Sequence, residues 1–178
     1  IFTLTYSSIF GFDFQPPHNK WKEISMTEHS KNIHRVSDTS LLHNCKWEYS
    51  QFGEDGIIEE IFRRLNIEKG FFVEFGAMDG VTISNTYNLF KKGWMGLYIE
   101  GNSEHAAALN KNFPQSCGVK SYIDFIKWKD SQTGRYIDDI LDDCIGTQTI
   151  DFLSIDIDGG DYYIFKKLKR RPKVICVE

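Results

Sequence analysis

The sequence predicts an α/β domain on a doubly wound, mostly parallel sheet, and two observations carry that prediction. Short apolar, β-rich runs alternate with stretches of helical period from Ser50 onward, at the spacing of βαβ units. The chain has 178 residues, 41% apolar and 15% aromatic, enough for one core of ordinary domain size.

Along the chain, residues 1–49 read as an N-terminal arm or irregular cap. Residues 1–14 are apolar but broken by Thr, Ser, Gly and Asp, with no basic stretch ahead of them, so they do not read as a signal peptide. Residues 15–49 are polar, hold Pro16-Pro17 and four of the five histidines, and keep no period. The domain proper is expected over 50–178. Glu54 and Asp55 place negative charge at a helix start, and Ile57, Ile58, Ile61, Phe62 and Leu65 form its apolar stripe. Phe71 to Phe75 is the first strand, and Ser84 is the expected cap of a helix ending near Lys92. Trp94 to Ile99 is the second strand, closed by Glu100, and Ser103 to Phe113 a helix stopped by Pro114. A weaker strand at 117–123, a helix with an acidic face at 136–144, and a strand at Phe152 to Ile157 follow. Asp161 to Lys169 is the last helix and Lys173 to Val177 the fifth strand.

Charge and composition exclude several classes. Lys and Arg total 21 against 25 Asp and Glu, a net charge of −4, so the chain as a whole is not a polyanion binder and no nucleic-acid partner is expected. No apolar run approaches membrane-spanning length. The basic run from Lys166 to Lys173 falls at a helix C-terminus, where cations suit the dipole and water. Cys45, Cys117, Cys144 and Cys176 stand far apart, with no CxxC pair and no zinc spacing, so they read as reduced. None of the histidines has ligand spacing, and there is no P-loop or GxSxG. The sequence starts at Ile1 and stops as the fifth strand finishes, so it reads as cut at both ends, with compartment left open.

In a doubly wound sheet, ligands bind at the carboxyl ends of the strands near the switch point. After the first strand stands Glu74-Phe-Gly76-Ala-Met-Asp79-Gly80, an ExGxxxG pattern without the middle glycine of the dinucleotide fingerprint. From Phe71 to Phe90 there is no Lys or Arg, so a diphosphate would meet carboxylates and no cation. A ligand with positive charge would be welcomed there. Glu100, 26 residues past Glu74, stands where a carboxylate accepts from ribose hydroxyls. A ribose with a cationic tail describes S-adenosylmethionine (SAM) better than NAD.

After the fourth strand comes Asp156-Ile-Asp158-Gly159-Gly160-Asp161. Three roles are open for its carboxylates: holding the cofactor's amino end, acting as general base toward a hydroxyl, or ligating a hard cation such as Mg²⁺. Asp161 reads as a helix cap, whereas Asp156 and Asp158 read as functional.

With these motifs in hand, the chain resembles the FkbM-type SAM-dependent methyltransferases from about Ser50 to Glu178. SQFGED (50–55), VEFGAMDG (73–80) with SNT (84–86), GWMGLYIEG (93–101), and LSIDIDGGDYYIF with PKVICVE carry the resemblance. It implies a Rossmann-like methyltransferase fold, with Glu74, Gly76 and Gly80 around the methionine part of SAM and Glu100 on the ribose. Asp156 and Asp158 would line the reacting end as catalytic residues, with Asn85 and Gln51 near the cofactor. It further implies O-methylation of a hydroxyl, on a sugar or natural-product-like small molecule or glycan. Such sheets have seven strands, so this one is expected to be truncated after strand five, leaving an apolar edge. Two rivals remain at this point: a non-catalytic module of the same fold, and an NAD-dependent oxidoreductase.

Overall fold

Alternation along the strands decides what the sheet buries. In the computed structural model, which describes residues 2–5, 41–114, 118–127, 129 and 133–177, Phe72 and Tyr98 face one side of the sheet. Val73, Phe75, Leu97 and Ile99 face the other. Side chains of period two therefore feed two separate cores, one on each face, as a sheet buried on both sides requires.

The elements run β1 (Phe2–Thr5), a 3₁₀ turn (Leu41–Asn44), α1 (Glu54–Arg64), β2 (Phe71–Phe75), α2 (Tyr87–Lys91) and β3 (Met95–Glu100). They continue with α3 (Ser103–Asn112), β4 (Val119–Ile123), α4 (Ile137–Ile145), β5 (Phe152–Ile155), α5 (Asp161–Lys167) and β6 (Val174–Val177). All six strands are parallel, in the order β1-β6-β5-β2-β3-β4. The first core takes Ile57, Ile58, Ile61 and Phe62 from α1, Leu89 from α2 and Leu109 from α3. The second takes Ile137, Ile140 and Leu141 from α4 and Ile164 from α5. Each such side chain, fully withdrawn from water, contributes about 2 kcal/mol of transfer free energy before entropy is counted. The winding reverses between β3 and β5, on either side of the central β2, which fixes the crevice where ligands bind in such sheets.

The structure departs from the sequence reading in two places. The edge expected to be open is covered: Phe2–Thr5, inside the predicted arm, pairs with Val174–Val177 in parallel register. A four-residue run gives no period by which to tell a strand from any apolar stretch. Residues 6–40 of the arm, like Cys117, lie outside the described residues. The second departure is that α2 starts at Tyr87, with Thr86 at its N-cap position, rather than directly after Ser84; the Ser84 hydroxyl still accepts the Thr86 and Tyr87 amides and donates to Glu74. The basic run is exposed at Lys166, Lys167, Lys169, Arg171 and Lys173, and it is also tied to its own chain. Arg170 reaches Asp142 and the Gly146 carbonyl, and the Lys169 and Arg170 amides donate to Asp138, fastening the α5–β6 connection to α4. No helix among the described residues is long and apolar enough to cross a membrane.

Candidate functional site

A cavity of about 560 Å³ opens at the carboxyl ends of β2, β3, β4 and β5. It is of the size small-molecule sites occupy. Glu74, Gly76, Asn85, Glu100, Asp156 and Asp158 all line it, as does Gln51. Gly80 does not. Its φ is +75°, its amide donates to Ala77, and a Cβ there would come within 2.5 Å of the Phe113 ring and 2.8 Å of Leu109. That glycine lets α3 close on the loop.

Gly76 also serves a protein contact. At φ +69°, a Cβ on it would lie 1.7 Å from the Asp156 carbonyl oxygen. The loops after β2 and β5 thus touch backbone to backbone, and this draws Glu74 and Asp156 to one wall.

Glu74 is nearly buried, and its carboxylate accepts from Ser84 Oγ at 2.8 Å, Thr86 Oγ1 at 2.7 Å and the Asn85 amide at 2.9 Å. Asn85 in turn donates to Ser154 Oγ at 3.1 Å, linking the loop after β2 to β5. Glu100 takes the Met78 amide on one oxygen and the Asn102 amide on the other, each at 2.7 Å. Two fixed amides hold this carboxylate in place at the end of β3, with lone pairs still available for a further donor. Asp79, the other acid of the first loop, is turned away. Burial opposes its charge, but the Thr82 and Val81 amides and the Thr82 hydroxyl outweigh that and hold its carboxyl below the usual range.

Asp161 binds the Ile157 and Gly159 amides at 2.7 and 2.9 Å, so its carboxylate shapes the loop. Asp156 and Asp158 remain on the cavity wall, Asp158 exposed. The cation role loses its third carboxylate in this way. Among the described residues no group of three His, Cys, Asp or Glu side chains is placed to hold a metal ion.

Several lining residues were not found from the sequence. His105 is exposed on the first turn of α3, which Asn102 caps through its side chain, and it lines the cavity. Asp124, Phe125 and Ile126 arrive from β4, the strand with the weakest pattern, and the Phe125 ring is 61% exposed. Met78, Ile83 and Asp158 line the wall with φ of +50°, +51° and +57°. Left-handed backbone is costly for a β-branched residue such as Ile83, and such outliers gather where function dictates geometry.

No protein-family profile matches the chain, and no curated protein matches it. Among solved structures it is similar to an O-methyltransferase from Bacillus cereus in complex with S-adenosylhomocysteine (SAH), at 14% identity and a TM-score of 0.43. That match covers 93% of this chain and 66% of the other. It is similar also to an SAH-bound methyltransferase of Podospora anserina, at 14% identity and a TM-score of 0.45, covering 87% of this chain and 65% of that one. The chain thus spans slightly less than two-thirds of either protein. A likeness this loose assigns no chemistry, which rests on the cavity itself.

Proposed function

We propose that the chain binds SAM in this cavity and is the cofactor-binding part of a SAM-dependent methyltransferase, of the FkbM type by its motifs. One observation carries the reading: among the described residues the lining holds Glu74, Glu100, Asp124, Asp156 and Asp158 and no Lys or Arg, beneath the switch point of a parallel sheet. A diphosphate is disfavoured by that charge, whereas an ammonium and a sulfonium are favoured. Glu100 accepts from the ribose hydroxyls, and the Phe125 face with the Asp124 carboxylate suits a purine ring and its amino group.

SAM supplies a methyl group already activated by a positive sulfur. The protein's task is to hold donor and acceptor in line. Glu74, with Asn85 and Gly76 behind it, fixes the cofactor's charged end, and Glu100 fixes the other. Asp158, or Asp156 beside it, takes the proton of the acceptor hydroxyl as the new bond forms. The acceptor is a hydroxyl-bearing small molecule or glycan.

Calorimetric titration with SAM, SAH and NAD tests this. Micromolar binding of the two adenosyl ligands with none of NAD is the expected result, and tighter binding of NAD overturns it. Transfer to no acceptor despite SAM binding would favour a non-catalytic module instead. In the Glu100→Ala variant the dissociation constant for SAM should rise about 10- to 100-fold, the worth of hydrogen bonds to a charged acceptor. Unchanged affinity would remove Glu100 from the ribose.

A further inference from the structure

Two buried carboxylates act on each other's charge, Glu74 on the cavity wall and Asp55 on α1, and among the described residues no Lys or Arg is buried with them. Glu74, on the wall, receives only neutral donors, the Ser84 and Thr86 hydroxyls and the Asn85 amide. On the first turn of α1, Asp55 is 1% exposed. Its Oδ2 accepts the Glu48, Tyr49 and Ser50 amides and the Ser50 hydroxyl, and its Oδ1 is buried with no hydrogen-bond partner.

The other groups around Glu74 do not neutralise it. From β3 comes the Tyr98 hydroxyl, bonded to Thr86 Oγ1 and the Gly80 carbonyl, and from α2 comes Tyr87. From β6 comes Cys176, 3.9 Å from Asn85 Nδ2. Glu100, Asp124, Asp156, Asp158 and His105 line the same cavity. Burial pushes the Glu74 carboxyl up to about 7; its three donors restrain the rise and the Asp55 charge adds to it.

We propose that Glu74 is a proton-exchange residue, which binds the positive charge of an adenosyl ligand by giving up its own proton to solvent. The protonated carboxyl and the cationic ligand become a carboxylate–cation pair, and one proton passes to the buffer. Adenosine, the same nucleoside without the cationic tail, binds without that release. The proposal rests on reading the cavity as an adenosyl site.

Two measurements on the whole chain test it and keep the two readings apart. The first follows the ¹³C-labelled glutamate side-chain carboxyls by NMR across pH without ligand, with Glu74 assigned by the resonance missing from Glu74→Gln. The Glu74 carboxyl is expected to titrate near 7. Titration together with the ordinary glutamates overturns the proposal whether or not any ligand binds. The second is calorimetry of SAM, SAH and adenosine at pH 7 in phosphate and in Tris, whose ionisation enthalpies differ. Both charged ligands should release about half a proton each and adenosine none. Below pH 6, SAM affinity should fall toward 10-fold per pH unit. SAM binding without proton release overturns the exchange. Failure of SAM and SAH to bind at all sinks the adenosyl reading and the exchange with it, while the NMR titration still reports the state of Glu74.

Discussion

A Gly76→Ala chain should lose about 4 kcal/mol of stability and bind no adenosyl ligand. Alanine at φ +69° costs about 1–2 kcal/mol because its Cβ crowds the following carbonyl. The larger part comes from the contact itself. With the Cβ 1.7 Å from the Asp156 oxygen, the ends of β2 and β5 must part, at the roughly 1–3 kcal/mol of an overpacked core. That separation moves the walls carrying Glu74 and Asp156. Urea unfolding monitored by tryptophan fluorescence measures the first effect and calorimetry with SAM the second. A chain of unchanged stability would show that the two loops are not pressed together.

Asp158→Asn should cut methyl transfer by about 10²- to 10⁴-fold while SAM affinity stays within a factor of about three, since a general base contributes only once the acceptor proton must leave. The substitution is a clean one. Asparagine tolerates the left-handed backbone held at Asp158, with its φ of +57°, and keeps the side-chain shape while removing the charge. Single-turnover transfer at saturating SAM, set beside calorimetric affinity, separates the effects. If transfer persists, the proton leaves by another route, and Asp156→Asn is the next variant. If affinity falls instead, Asp158 holds the cofactor's amino end.

The sheet was largely legible because each strand of the domain is either an apolar run or bounded by Gly, Asp or Glu. Phe71–Phe75 and Phe152–Ile155 could hardly be anything else. That Glu74 and Glu100 line the cavity was legible for a related reason: a carboxylate near the end of a buried parallel strand must face the crevice there or find partners of its own. What the letters could not separate is one kind of close approach from another. Gly76 and Gly80 look alike as turn glycines, yet one admits the Asp156 carbonyl and the other admits Phe113. Asp79 counted toward the acidity of the first loop, but local amides consume it, as they consume Asp161, which the sequence reading set aside as a helix cap. His105, Asp124 and Phe125 were missed because a cap and a weak strand, not a motif, carry them to the cavity.

The pairing of Phe2–Thr5 with Val174–Val177 joins the first strand in the order of the sequence to the last. Every other strand finds its neighbour after one crossover, except β5, which must reach back to β2. Closing a loop of some 170 residues costs only slightly more entropy than closing a short one, but it is slow and comes after local structure. The strand at this edge should therefore be the final one to dock in refolding. Until it does, β6 presents bare amides and carbonyls along an apolar strand, the arrangement from which intermolecular pairing starts. Refolding yield should accordingly fall with protein concentration, and hydrogen exchange at Phe2–Thr5 should be the first of any strand's to escape protection.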